Sequence, residues 1–282
     1  MTLFGLSEPV IRLVAFSTIF IALAAIELLA PRLERDEMRG ALKSRRWVTN
    51  LAMVVLSSVA LRIVFPLAAV GTALWAQTNG IGLFPLLGLP LWAAGILAFI
   101  VLDFAVWLEH VVSHKWPLLW RIHRMHHADT GFDLTTALRF HPLEIVLSML
   151  WKASVIIALG APPVAVLVFE IVLNGAAMFN HANIKLPKAA DAVLRLIIVT
   201  PDMHRIHHST DPRETDSNYG FNLAIWDRLF STYTQTPRLG DTGLEIGLTE
   251  WRDGRSTASL GWALALPFRF PPMVKPRPGT DQ

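Results

Sequence analysis

Ten histidines and no cysteine stand in this chain of 282 residues. His110, His114, His123, His126 and His127 fall within residues 110–127, and His204, His207 and His208 within 204–208. His141 and His181 stand apart. The spacings are HxxxH, HxxHH and HxxHH. On a helix, positions i, i+3 and i+4 share a face, so each window is predicted to project its imidazoles together, two or three donors to one point. Neutral imidazole is the commonest metal-ligand side chain. A nitrogen-only set suits iron, zinc, copper or nickel, whereas magnesium or calcium would want carboxylates. One tetrahedral zinc takes about three or four ligands, which strands the remaining histidines. A haem held by two histidines strands more. Two metals use the whole set and leave room for dioxygen or water between them. The missing cysteine excludes thiolate-ligated haem, cysteine-held iron–sulfur clusters, cysteine nucleophiles and disulfides.

The elements that must position these imidazoles are membrane helices. The chain is 53% hydrophobic and 17% charged, too apolar for an ordinary soluble domain, where charged residues reach about 25%. Long apolar stretches cover 10–30, 47–76, 84–109 and 145–180. A single crossing of ~30 Å needs about 20 residues. The last stretch is too long for one crossing and is broken at Gly160-Ala161-Pro162-Pro163, so it reads as a helical hairpin. The first stretch lacks the basic n-region and the cleavage site of a signal peptide. Six basic residues (Arg32, Arg35, Arg39, Lys43, Arg45, Arg46) follow it, and basic loops stay in the cytoplasm. Counting crossings from there puts all ten histidines on the cytoplasmic side. The expected fold is an all-α integral membrane helical bundle, a single membrane domain over 1–282. A cytoplasmic helical cap (110–144 and 181–257) holds a histidine-rich dimetal site, and a Pro-rich tail follows at 258–282. The net charge of +3 comes without a long basic run, so nucleic acid is not an expected partner.

Other residues take supporting roles in this reading. Asp103, two helical turns before His110, is placed to orient a ligand's second N–H, and Asn183 to hold a metal-bound water. Asp202 is read as the cap of the helix that carries His204. Asp216, Asn218, Tyr219 and Gly220 form a polar turn that locks the cap. Trp226, Phe230 and Tyr233 read as packing, and Trp116, Trp120 and Trp151 as interfacial anchors.

The runs DFAVWLEHVVSHKWPLLWRIHRMHH (103–127), LRFHPLE (138–144), FNHAN (179–183), PDMHRIHHS (201–209) and DSNYGFNLAIWDRLFSTY (216–233) resemble the fatty acid hydroxylase / sterol desaturase superfamily of integral-membrane di-iron oxidases. The resemblance covers about half the chain. It implies that His110, His114, His123, His126, His127, His181, His204, His207 and His208 hold two irons that activate dioxygen. It adds His141 as a tenth histidine near the metals, where the residue alone also reads as a polar group at a helix start. Trp107 stands where many members carry tyrosine, and Ser231 where glycine is usual. The expected activity is oxygen-dependent hydroxylation or desaturation of a fatty-acyl, sterol or related lipid. Zinc is a possible occupant of purified protein, since it outcompetes ferrous iron at nitrogen sites.

The substrate is expected to enter sideways from the bilayer, between the third stretch and the hairpin. No G-x-G-x-x-G fingerprint and no HPGG signature of a cytochrome b5 domain occurs. Electrons are therefore expected from a separate reductase, ferredoxin or cytochrome b5-like donor, docked on loop 31–46 or on Lys115, Arg121 and Arg124. The excess of Arg over Lys points to a bacterial inner membrane. A membrane zinc hydrolase or isomerase, and a metal transporter or sensor, are the competing readings.

Overall fold

A computed structural model describes residues 1–3, 5–33 and 39–270. Arg35 and the end of the Pro-rich tail, 271–282, lie outside the described residues. The chain is mostly helical. The only strands among the described residues are Thr2–Leu3 and Leu6–Ser7, paired in a two-stranded hairpin.

Five segments are long and apolar enough to cross a membrane: Glu8–Leu29, Gly40–Leu86, Leu91–Lys115, Pro142–Leu159 and Pro163–His181. The first is helix α1, Glu8–Leu29, whose Pro9 sits in the first turn, where a missing N–H costs nothing. The second contains α2 (Gly40–Val64), α3 (Ala68–Thr78) and the single turn α4 (Leu83–Leu86). The apolar stretch 47–76 is thus shared by two helices. Pro66 cannot donate to the helical ladder, and α2 ends at Phe65. Helix α5, Leu91–Lys115, returns to the histidine end. There Trp116 alone links it to α6, Pro117–His127. A residue before proline is pushed to extended backbone, and Trp116 (φ −95°, ψ 115°) takes that shape. The chain therefore turns sharply out of α5. The hairpin is α7, Pro142–Leu159, and α8, Pro163–His181. Its tip is pinned by Gly160 in the left-handed region (φ 65°), against which Gly82 packs backbone to backbone. A Cβ on Gly82 would lie 2.1 Å from the Gly160 nitrogen. Leu13, Leu28, Leu29, Ile63, Leu86, Leu91 and Trp92 are exposed on the outside of the bundle, as lipid-facing residues are. Inside, Ala69, Ala73 and Ala98 let the helices approach around Leu102, Ile156, Val166 and Phe169.

The histidine end is closed by the 128–141 loop, by α9 (Lys188–Leu194), by α10 (Pro201–His207) and by the segment that follows. Two fully buried arginines fasten the loop. Arg46, from α2, grips Asp129 with two hydrogen bonds (2.7 and 2.8 Å) and Asp133 with one (2.9 Å). Burial alone would raise the Asp129 carboxyl, but the Arg46 charge and its hydrogen bonds outweigh that and bring it to about 2. Arg139 donates to the carbonyls of Met125 and Thr257 and to Asn50. Residues 260–268 form a short helix and a 3₁₀ turn, and Ala263 and Leu266 are buried against Met53 and Met125. The start of the Pro-rich tail is therefore part of the packed structure.

Candidate metal centre

All the clustered histidines lie at one end of the bundle, on α5, α6, α8 and α10 with its C-cap His208, and all but the half-buried His114 are buried. They form two groups: His110, His114, His123, His127 and His207 in one, and His126, His181, His204 and His208 in the other. Within each group the candidate ligand atoms lie within 4.8 Å of one another. The HxxHH motifs do not each aim at a single point, as their spacing had suggested. The first sends the i, i+4 pair His123 and His127 to the five-membered group and His126 to the other. The second sends His204 and His208 to the four-membered group and His207 across to the first. The reason is angular. Neighbouring helical residues are separated by about 100°, so adjacent histidines project to different places. The groups abut, with the His127 and His208 rings stacked at 4.5 Å.

The tautomers are set from outside. His110 Nδ1 donates to the Tyr219 carbonyl (2.7 Å), His207 Nδ1 to the Ser217 carbonyl (2.6 Å) and His181 Nδ1 to the Ala177 carbonyl (2.7 Å). A carbonyl only accepts, so in each case Nδ1 carries the proton and Nε2 presents a lone pair. His123 Nδ1 lies 2.6 Å from the Glu144 carboxylate. Yet His207 Nε2 and His110 Nε2 are 3.1 Å apart, and His110 Nε2 and His123 Nε2 are 3.2 Å apart. His181 Nε2 sits 3.1 Å from the Nε2 atoms of His126, His204 and His208. Burial lowers the His123 imidazole to about 3. Burial and the neighbouring rings push His126, His127, His204, His207 and His208 well below the usual histidine range. These rings are neutral, and where Nδ1 carries the proton, in His110 and His207 against carbonyls and in His123 against Glu144, lone pair faces lone pair with no proton between them. A shared cation resolves that repulsion. Metal–imidazole bonds of about 2.0–2.1 Å at roughly right angles span about 3 Å between nitrogens, which matches the observed separations. His114 Nε2 is buried without a hydrogen-bond partner, as a metal-directed nitrogen would be. The donor set therefore fits two nitrogen-ligated metal ions.

Four residues singled out in the sequence take other partners. His141 Nδ1 caps α7 by accepting from the Leu143 N–H (3.2 Å), and its Nε2 faces the Leu264 carbonyl (3.3 Å). Asp103 accepts from Asn222 (2.8 Å), the Leu223 N–H (3.3 Å) and Trp226 Nε1 (2.8 Å), and touches no histidine. Seven residues along α5 do bring it onto the His110 side, but the 216–233 segment covers that face and takes the carboxylate. Asn183 bonds both backbone groups of Leu33. Asp202 pairs with Arg32 and Arg205, and Thr200 caps α10 in its place.

Four features were not read from sequence: Glu144 behind His123, and the carbonyls of Ala177, Ser217 and Tyr219. Glu144 lies in the HPLE run, three residues after His141, which was its only signal. The polar turn 216–220 does more than lock the cap, since its carbonyls hold two imidazoles directly. It is in turn held by Asp227, which accepts from the Tyr219 and Gly220 N–H groups, Trp107 Nε1 and Thr232. Ser231 is in the left-handed region (φ 59°), which explains why glycine would suit it. Of the proposed docking cations, Arg46 and Arg124 are buried and used internally, Lys115 pairs with Asp216 (2.6 Å), and Arg121 donates to the Pro267 carbonyl.

A cavity of about 620 Å³ reaches the five-histidine group, where His110, His123 and Glu144 line it. Phe140, Leu138, Met178 and Phe221 form its walls nearby. A second, smaller pocket of about 300 Å³ between α5, α6 and α7 is lined by Leu108, Val112, Trp116, Ile122, Leu147 and Trp151. Glu109, Ser113 and Glu144 border both spaces.

Residues 95–232 match the fatty acid hydroxylase family, and they contain every histidine of both groups. This histidine-bearing segment is of the fatty acid hydroxylase family. It is 31% identical over 173 residues to the ornithine lipid hydroxylase OlsE of Rhizobium tropici, covering 61% of this chain and 50% of that one. It is 33% identical over 137 residues to the alkylglycerol monooxygenase of Xenopus tropicalis, covering 49% of this chain and 30% of the relative. A cholesterol 25-hydroxylase-like protein of Danio rerio is 29% identical over 144 residues, 50% of this chain and 54% of the relative. The chain thus spans about half, or less, of the length of these relatives. No solved structure matches it.

Proposed function

We propose that this chain is an oxygen-dependent membrane lipid hydroxylase. His110, His114, His123, His127 and His207 would hold one iron, and His126, His181, His204 and His208 a second. The observation that carries the metal reading is the facing of neutral Nε2 lone pairs at 3.1–3.2 Å. Three relatives named as lipid hydroxylases or monooxygenases support the activity. An iron pair held by these residues would supply the dioxygen chemistry that opens an unactivated C–H bond. The overall balance is substrate C–H, dioxygen, two electrons and two protons giving an alcohol and water, with an external reductase, ferredoxin or cytochrome b5-like donor supplying the electrons.

The chain's own residues do the rest. The Tyr219, Ser217 and Ala177 carbonyls and Glu144 fix the imidazole orientations before any metal arrives, which spares reorganisation on binding. Phe140, stacked on His126 at 4.5 Å, and Phe221, 4.9 Å from His110, exclude water from the reacting end of the cavity. The apolar pocket between α5 and α7 is the route by which a lipid would enter from the bilayer. The basic segment 31–46 supports a cytoplasmic metal centre in a bacterial inner membrane.

The test is to reconstitute the purified protein anaerobically with ferrous iron, count metals, and expose lipid extracts to it under ¹⁸O-labelled dioxygen with a reductant. The expected result is two irons per chain, fewer in His126→Ala and His207→Ala, and one labelled oxygen in a lipid product. A single haem, no bound iron, or product formed without oxygen would overturn the proposal. The last outcome would favour a zinc hydrolase or isomerase.

A further inference from the structure

The large cavity does not end in hydrocarbon. Away from the histidines it is lined by Arg12 of α1, Arg62 of α2 and Lys152 of α7. Arg12 donates to Glu170 (2.5 Å) and Glu8 (2.7 Å), and Lys152 lies 3.3 Å from the same Glu170. Two cations thus share a buried carboxylate, with Glu8 as a further partner. Arg62 has no ion-pair or hydrogen-bond partner among the described residues. Glu109, on the same lining and close enough to Lys152 to feel its charge, balances the count at three cations and three carboxylates, so the open feature of this end is the unpartnered Arg62. Ser58 and Asn174 stand on the same lining. Ionisable groups within membrane helices are costly and are kept where they bind something.

We infer that the Arg12–Arg62–Lys152 end of the cavity binds an anionic group of the lipid substrate, a carboxylate or a phosphate, and so selects the carbon presented to the histidine centre. The inference rests on the hydroxylase reading above. The spacing sets the rule of selection. Lys152 is two turns beyond Glu144 on α7, about 12 Å at 1.5 Å per residue. Glu170 precedes His181 on α8 by about 16 Å on the same count. An extended chain advances roughly 1.2 Å per bond, so the attacked carbon lies about ten to thirteen bonds from the anionic group. The unpaired guanidinium of Arg62 supplies the fork that a carboxylate or phosphate oxygen pair fits.

The test uses the full iron-loaded chain in neutral detergent, with radiolabelled palmitate, hexadecyl phosphate and hexadecanol as probes. These share a chain and differ in head group. Palmitate or hexadecyl phosphate, or both, is expected to bind at least about tenfold more tightly than hexadecanol, as a charge-assisted hydrogen bond gives. Whichever anion wins names the source. Arg62→Gln breaks no ion pair, so it is expected to fold, keep its iron, and lose most of that preference while hexadecanol binding stays unchanged. Equal binding of the three probes, or an Arg62→Gln protein weakened alike toward all three, would overturn the inference. The iron count on the same samples tells this failure from failure of the hydroxylase reading.

Discussion

Substituting Glu144 should loosen one metal and leave the other. Among the nine clustered histidines, three donate Nδ1 to backbone carbonyls, which mutation cannot remove. His123 instead depends on a side chain, the Glu144 carboxylate at 2.6 Å. Loss of such a partner behind a ligating imidazole costs roughly 10–100-fold in metal affinity, or about 1.4–2.7 kcal/mol. Glu144→Gln keeps an acceptor oxygen but no charge, which places it near the lower figure. Glu144→Leu removes both and belongs near the upper one. His123 sits in the five-histidine group only, and no hydrogen bond joins Glu144 to the other four. The assay is equilibrium dialysis of the iron-loaded protein against a graded chelator, with retained iron read by plasma mass spectrometry. Wild type should release its iron at high chelator. Glu144→Leu should give up one equivalent at roughly a hundredfold lower free chelator and hold the second like wild type. Release of both irons together, or a curve superimposed on wild type, would refute the reasoning that this carboxylate supports one site through His123.

Three further outcomes are expected. Arg46→Met strands Asp129 and Asp133 in the cap and should cost about 3–5 kcal/mol, seen as a lower midpoint in thermal unfolding in detergent. Arg46→Lys should recover only part of this, because a lysine cannot make the two-pronged contact with Asp129. His141→Ala should leave the iron count unchanged while losing about 1 kcal/mol as a helix cap, whereas a ligand role would show as lost iron. Ser231→Gly should raise stability by about 1 kcal/mol by relieving a left-handed backbone position, with no change in bound iron.

The histidine spacing and the long apolar stretches made the helical membrane architecture, and the gathering of the clustered histidines at one end, legible without coordinates. Which imidazole joins which group was not legible, because that depends on how α6 and α10 rotate against each other. Glu144 was missed because its value comes from the docking of α7 against α6, not from its neighbours in sequence. Asp103 was misread for the complementary reason. Helical periodicity placed it on the His110 side, but its partners at 222, 223 and 226 lie far along the chain and arrive only through tertiary packing. His141 shows the limit of residue type: capping and ligation ask for the same lone pair. Ser231 carried a signal as a departure from an expected glycine, and its positive φ gives that departure a physical meaning.

The crosswise exchange of His126 and His207 bears on how such a centre can be inherited. Each HxxHH motif supplies two imidazoles to one group and one to its neighbour, so a chain carrying a single copy would complete neither group. The pair of motifs is inherited as one unit, together with His110 and His114 of α5 and His181 of α8. A grafted or shuffled version of this centre would have to move α6 and α10 together, with their relative rotation preserved.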